Sequence, residues 1–329
     1  PATWAYFSGG AGDEVTLRAN STAFERIQIV PRILHGTRTA DLTTSVLDVQ
    51  MSMPILVAPT ASQGQACAEG ECATASAAGD AGTVMVASTE STRSLEDIAA
   101  AATGPLWFQL YVYRDRAFAA SLVRRAEAAG YRALVLTVDV QRWSGIERLK
   151  HIPLEQRPAT VCGNFPPDMQ LEGDVLTWED LAWLRSLTSL PLVLKGVLSP
   201  LDAREAVARG VDALIVSNHG GRSLDGVLAS IEALPAIAEV VAGRCEVYMD
   251  GGIRRGTDVL KALALGARAV LVGRPILWGL SVDGAEGARR VLETLRHELE
   301  VAMVLAGRPT LASIDAAVSY SIPLVTART

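Results

Sequence analysis

Apolar residues along the chain fall into short, nearly unbroken runs, each bounded by Gly, Pro or a polar cluster. Eight stand out: 55–60 (ILVAPT), 83–89 (TVMVAST), 106–112 (LWFQLYV), 133–139 (ALVLTVD), 191–196 (PLVLKG), 213–220 (ALIVSNHG), 245–252 (CEVYMDGG) and 269–275 (AVLVGRP). Runs without polar alternation predict strands buried on both faces, as in a parallel sheet. The stretches between them are rich in Ala, Leu, Glu and Arg. RAFAASLVRRAEAAG and SPLDAREAVARG end in Gly130 and Gly210, which suit the left-handed position after a helix. Eight βα units predict a closed (β/α)8 barrel in one domain, with an N-terminal extension over 1–53 and a long C-terminal helix near 285–306. A doubly wound open sheet is the alternative, disfavoured because no G-x-G-x-x-G follows the first strand. One connection differs: 140–176, after the fourth strand, has Arg142, Trp143, Arg148, His151, several prolines and no clear period. Loops of this length tend to be functional lids.

Composition narrows the class. The 329 residues are 49% apolar and 20% charged with a net charge of -6, which excludes a disordered chain. An acidic balance argues against a nucleic-acid partner. The longest charge-free stretch, 49–68, has two prolines, three glutamines and a glycine, so no membrane segment is expected. Four cysteines without a C-x-x-C pair read as reduced thiols of a cytoplasmic protein, with neither disulfides nor a metal site. The start at Pro1 without a charged-then-apolar leader reads as the interior of a longer chain, and the final LVTART has no peroxisomal tripeptide.

In such a barrel the chemistry gathers where the strands end. The polar residues there are Thr60, Ser88, Gln109, Tyr111, Thr137, Asp139, Lys195, Ser217, His219, Arg222, Asp250 and Arg274, with Ala61 beside Thr60 and Gly273 before Arg274. DGGIRRG (250–256) and VGRP (272–275) place glycines where backbone N–H groups can approach a phosphate, with Arg254 and Arg274 to neutralise it. Simple tight turns would explain the same glycines. Lys195 would bring a cation into the barrel mouth, where it needs an anion. His219 could serve as a base oriented by Asp139, and Arg222 could grip a carboxylate by two parallel hydrogen bonds. His35, His151 and His297 are read as structural. No carboxylates with metal spacing close the strands, so a metal mechanism is disfavoured.

At these residues the sequence resembles the FMN-dependent 2-hydroxy-acid oxidases and dehydrogenases, the group of glycolate oxidase, lactate oxidase and mandelate dehydrogenase. The likeness runs from YFSGGAGDE (6–14) through APTA, WFQLYV, LTVD, LVLKG and SNHGGRSLDG to MDGGIRRGTDVLKALALGA and VGRP. It implies that FMN is the cofactor, with Pro59, Thr60, Ala61, Ser88, Gln109, Thr137 and Lys195 around its ring and Ser217 nearby. Asp250, Gly251, Gly252, Arg254, Gly273 and Arg274 would hold its ribityl phosphate. Tyr6, Tyr111 and Arg222 would bind a small 2-hydroxy carboxylate, His219 would be the base with Asp139 behind it, and Tyr111 would assist. The implied reaction takes an (S)-2-hydroxy acid to its 2-oxo acid, oxygen or another carrier then reoxidising the flavin. A homo-oligomer, tetramer or octamer, is implied as well.

Two positions depart from the family pattern. Where a second carboxylate-binding Arg is usual stands Ile146, with Arg148 close enough to substitute. The loop is also shorter than usual and, lacking an apolar face to anchor it, is expected to stand open and leave Arg222 alone. Glu90, where the family often has an apolar or aromatic pocket residue, is expected to be a solvated loop charge. The rival readings are an FMN barrel acting on a phosphorylated substrate, as an isomerase, and a non-catalytic flavin- or metabolite-binding barrel.

Overall fold

A computed structural model describes residues 1–142, 145–157, 161–166, 169 and 173–321. Eight parallel strands close a barrel. In chain order they are β1 (Ile55–Val57), β2 (Met85–Ala87), β3 (Leu106–Leu110), β4 (Leu134–Thr137), β5 (Leu192–Val197), β6 (Ala213–Val216), β7 (Glu246–Asp250) and β8 (Ala269–Val272). Closure comes from β8 beside β1, with Val270 opposite Ile55 and Val272 opposite Val57.

The apolar runs are continuous because successive residues face different cores. Ile55 and Val57 pack outward with the helices, whereas Leu56, Val86, Trp107, Val135, Val193, Ile215, Tyr248 and Leu271 form a second cluster that fills the barrel. The hairpin Thr44–Val46 and Val49–Met51 adds Val46 and Met51 to that cluster and plugs one end. Most strands are shorter than their apolar runs. The surplus residues leave the hydrogen-bonded ladder and curl into the loops that build the opposite mouth.

The expected helices form over Arg116–Ala128 and Pro200–Ala208, followed by Gly130 at φ 83° and Gly210 at φ 75°. Asp115 and Ser199 cap their first turns from the side chain. Helical structure spans Arg274–Leu305 but is broken at Asp283 and Gly284, so the long C-terminal helix expected near 285–306 follows the break and a shorter, unexpected helix from Arg274 precedes it. Two helices of the N-terminal extension, α1 (Ala2–Ser8) and α2 (Val15–Glu25), lie against the mouth. A buried reciprocal pair fastens α2, Asn20 and Asn218 exchanging amide hydrogen bonds at 2.9 and 2.8 Å.

Described residues of the loop after β4 are anchored by their own side chains, where no anchoring apolar contact was expected. Ile146 is buried, and its methyl lies so close to Gly9 that a Cβ there would meet it at 2.5 Å. Asn164 is buried too, accepting from Leu95 N at 2.8 Å and donating to the Thr89 carbonyl at 2.9 Å. Phe165 meets the rings of Tyr113 and Phe118 at 5.4 and 5.3 Å. Trp143 lies outside the described residues. Among the described residues no helix is long and apolar enough to cross a membrane.

Candidate active site

The strand ends and their loops enclose a cavity of about 790 Å³, within the range of small-molecule sites. Its wall includes Pro59, Thr60, Ala61, Ser88, Gln109, Tyr111, Thr137, Lys195, His219, Arg222, Asp250, Gly251, Gly252, Arg254, Gly273 and Arg274, with Tyr6 arriving from α1. Ser217 and Asp139 stand just behind this wall, each hydrogen-bonded to a residue in it.

A bulge in β5 aims Lys195. The pairing with β6 shifts register between Lys195 and Val197, and Gly196 sits at φ 111°, where a Cβ would lie 2.6 Å from the Asp139 side chain. Only glycine lets the two strand ends approach this closely. The buried Nζ donates to Ser217 Oγ at 3.0 Å and faces Asp250 Oδ2 at 3.3 Å. Burial disfavours the ammonium, but the charges of Asp250 and Asp139 outweigh it and raise its pKa. The anion that Lys195 requires is thus supplied from within the chain. Ser217 also accepts from the backbone N–H of His219 at 3.0 Å, so one hydroxyl fixes both residues.

His219 is held at φ 58°, with Nδ1 2.9 Å from Asp139 Oδ1 and Nε2 3.5 Å from the Tyr111 hydroxyl. Burial acts to raise the Asp139 pKa, yet the nearby charges of His219 and Lys195 bring it below the ordinary value. An ionised Asp139 accepts a hydrogen bond from Nδ1–H, which keeps the proton on Nδ1 and leaves Nε2 as the basic nitrogen facing the cavity. Burial pushes the Tyr111 phenol well above its ordinary range, so it stays protonated. Arg222 is fixed by hydrogen bonds from one terminal nitrogen to the carbonyls of Tyr6 (2.6 Å) and Gly9 (3.1 Å), and its guanidinium lies 5.0 Å from the Tyr6 ring centre.

The cavity is built for anions at two places. Desolvation lowers the pKa of Arg222, Arg254 and Arg274, and Arg274 is pushed down to about 9 as the charges of Arg222 and Arg254 add to its burial. Such crowding of guanidinium groups calls for negative charge among them. Gly273 stands at the N-terminus of the C-terminal helix beside Arg274, and Gly251 and Gly252 pass the wall with φ of 93° and 85°. A Cβ on Gly252 would strike the Asn20 carbonyl at 1.9 Å. A helix N-terminus with arginines around it suits a phosphate.

Between this corner and His219 the wall offers unspent hydrogen-bonding groups. The Gln109 amide oxygen accepts from Ser88 Oγ and Thr89 N, both at 3.2 Å, which turns Nε2 away from them, buried and without a partner among the described residues. Thr137 Oγ1 and Asp250 Oδ1 are likewise buried and without a partner among the described residues. Buried polar atoms normally find partners, so these mark the edge of a polar, planar ligand. The donor set and the arginine corner together fit FMN.

One candidate falls outside the site and one expectation needs correction. Arg148 does not reach the cavity: on the short helix Glu147–Lys150 it pairs with Glu14 at 2.6 Å and Ser8 at 3.1 Å, because burial of Ile146 turns it outward. Glu90 is half-buried rather than freely solvated. It lines the cavity, accepts from the Tyr113 hydroxyl at 3.2 Å, and burial raises its carboxyl pKa against the opposing effects of Tyr113 and His219. Sequence reading also left Tyr113 and Arg157 out of the wall. Tyr113 lies two residues past Tyr111, immediately after the 106–112 run, and was within reach of the strand-end argument. Arg157 carries no such signal.

The FMN-dependent dehydrogenase family model matches residues 1–320. The L-lactate oxidase of Nostoc sp. is 48% identical over 332 residues, covering 94% of this chain and 91% of that protein. The 2-hydroxyacid oxidase 1 of Homo sapiens is 44% identical over 344 residues, covering 98% and 93%. A crystal structure of mandelate oxidase with benzoyl-formic acid superposes with a TM-score of 0.89 at 44% identity, covering 96% of this chain and 92% of that one. With the barrel, the phosphate corner and the unspent ring-edge donors in agreement, the chain belongs to the FMN-dependent dehydrogenase family and is an FMN-dependent oxidoreductase.

Proposed function

We propose that the chain oxidises an (S)-2-hydroxy acid to the 2-oxo acid, with His219 as the base. The observation that carries the reading is the Asp139–His219 dyad placed in one cavity with Arg222, Tyr6 and Tyr111. Lactate, hydroxy-acid and mandelate oxidases among the relatives support the same substrate class.

Pro59, Thr60, Ala61, Ser88, Gln109, Thr137 and Lys195 would hold the ring of FMN, and Asp250, Gly251, Gly252, Arg254, Gly273 and Arg274 its ribityl phosphate. Bound there, FMN supplies the acceptor for the electron pair that leaves the substrate. Arg222, with the hydroxyls of Tyr6 and Tyr111, orients the substrate carboxylate. Nε2 of His219 takes the substrate proton, and the ionised Asp139 stabilises the resulting imidazolium. The fixed ammonium of Lys195 stabilises negative charge that develops beside it without rearranging. Ser217 acts by holding Lys195 and the His219 backbone.

A homo-oligomer in a reducing, cytoplasmic setting completes the proposal. Four free cysteines support the setting, and the exposed Trp4, its ring 4.8 Å from that of Trp278, offers an apolar surface for assembly.

The test is the visible spectrum of the purified protein before and after anaerobic addition of lactate, glycolate and mandelate. Bleaching of the yellow protein supports the reading, and the order of rates ranks the acids. A flavin spectrum indifferent to every 2-hydroxy acid overturns it.

A further inference from the structure

Glu90 has no place in the scheme above, yet it stands in the cavity wall. It follows β2 on a turn fastened from both sides, its backbone N–H donating to Ser88 Oγ at 3.1 Å and its carbonyl accepting from Ser62 N at 3.3 Å. Its carboxyl receives the Tyr113 hydroxyl, and Tyr113 is buried against Phe118 and Phe165 at ring distances of 6.2 and 5.4 Å. The carboxyl is therefore fixed rather than free to swing into water. Among the described residues no Lys or Arg forms an ion pair with it, and its charge is felt by Tyr6, Tyr111 and His219. The other acidic side chain of the outer wall, Asp174, is already neutralised by Arg116 at 2.7 Å.

A fixed, desolvated carboxyl beside the reacting groups discriminates between substrates. An apolar side chain pressed on it would remove its remaining water and return no hydrogen bond. A second carboxylate would repel it. A cation would restore both the lost hydration and the missing counter-charge. Arg222 holds the substrate carboxylate near His219, so the side chain on the same carbon is the part left to meet Glu90.

We propose that Glu90 is a specificity-determining residue, selecting 2-hydroxy acids whose side chain ends in a cationic hydrogen-bond donor such as an ammonium or guanidinium. The proposal rests on the hydroxy-acid reading and extends it to the substrate side chain.

Three six-carbon probes separate the possibilities: (S)-6-amino-2-hydroxyhexanoate, (S)-2-hydroxyhexanoate and (S)-2-hydroxyadipate. Each is given to the holoprotein, and kcat/KM is read for wild type, Glu90→Gln and Glu90→Leu. The wild type should favour the amino acid analogue over hexanoate by roughly 10-fold to 100-fold, the range of one charge-assisted hydrogen bond. Glu90→Gln should lose most of that preference, and Glu90→Leu should reverse it. If the leucine variant fails to retain FMN, the glutamine variant decides. Faster turnover of hexanoate or adipate than of the amino compound by wild type overturns the proposal, as does a cation preference that survives in the variants. Rejection of all three probes while lactate or glycolate is oxidised also overturns it. Rejection of every 2-hydroxy acid overturns the underlying reading instead.

Discussion

Arg274 donates from Nε to the carbonyl of Phe7 at 2.9 Å, so an arginine of the phosphate corner also fastens the segment that carries Tyr6. Its other two nitrogens reach the carbonyls of Gly220 and Gly9 at 3.0 and 2.9 Å. Arg274→Ala should therefore do two things. It should weaken FMN retention, and the holoenzyme that remains should show a raised KM because Tyr6 and Arg222 lose a shared support. Lys195→Met should instead lower the rate of flavin reduction as well as affinity, since the ammonium acts where charge develops. FMN dissociation constants and anaerobic reduction rates measured for both variants check this. Identical behaviour would erase the division between ring and phosphate roles.

The Asp139–His219 pair should separate binding from chemistry. His219→Ala should keep FMN and lose flavin reduction by roughly 100-fold to 10,000-fold, the usual cost of a missing general base. Asp139→Asn should fall in the same direction, because the imidazolium loses its counter-charge. The pH dependence of stability has a defined sign. The folded-state pKa of Asp139 is depressed, so its stabilisation is present above the unfolded carboxylate value, about 3.9, and is lost as pH falls through the lower folded value. The stability gap between wild type and Asp139→Asn should therefore be flat near neutral pH and narrow only in strong acid. A gap that closes near pH 6 would contradict this.

Glu90 carries the opposite sign. Burial raises its pKa, so the folded protein binds that proton more readily than the unfolded chain. Its contribution is favourable below the unfolded value, about 4.3, and is lost as pH rises through the folded value. Glu90→Gln should accordingly raise Tm at neutral pH, with the gain vanishing toward pH 4. Thermal unfolding of both proteins across that range is the measurement.

The barrel was legible because both faces of each strand are buried, which leaves apolar runs that no other arrangement of these lengths explains so simply. Much of the site was legible for a related reason: the polar residue closing each run has only the barrel mouth to occupy. What sequence could not show is which polar groups neutralise one another. Lys195 finds Asp250 inside the site, and Arg148 finds Glu14 across 134 positions, so one cation stayed in the cavity wall and the other was lost to it. Glu90 was misread because its burial comes from Tyr113, set in place by Phe165 of the long loop, and no periodicity announces that contact.

The position of Arg148 yields the last expectation. Had it been the second grip on the substrate carboxylate, its removal would raise the substrate dissociation constant by ~10-fold to 150-fold, the equivalent of one charge-assisted hydrogen bond. It is instead a half-exposed partner of Glu14, which itself accepts from Gly10 N at 3.0 Å ahead of α2. An ion pair of that exposure contributes ~0.2 to 1 kcal/mol to stability. Arg148→Ala should thus lower Tm slightly and leave substrate affinity within about 3-fold, a change of only ~0.7 kcal/mol. Arg222→Ala, by contrast, removes a guanidinium that lies in the cavity and braces Tyr6 and Gly9, and should cost the full factor. Titration of both variants with a 2-oxo acid product, followed by perturbation of the flavin spectrum, compares them directly. Equal losses of affinity would mean that the loop brings Arg148 inward when a carboxylate binds, breaking its bond to Glu14 on the way.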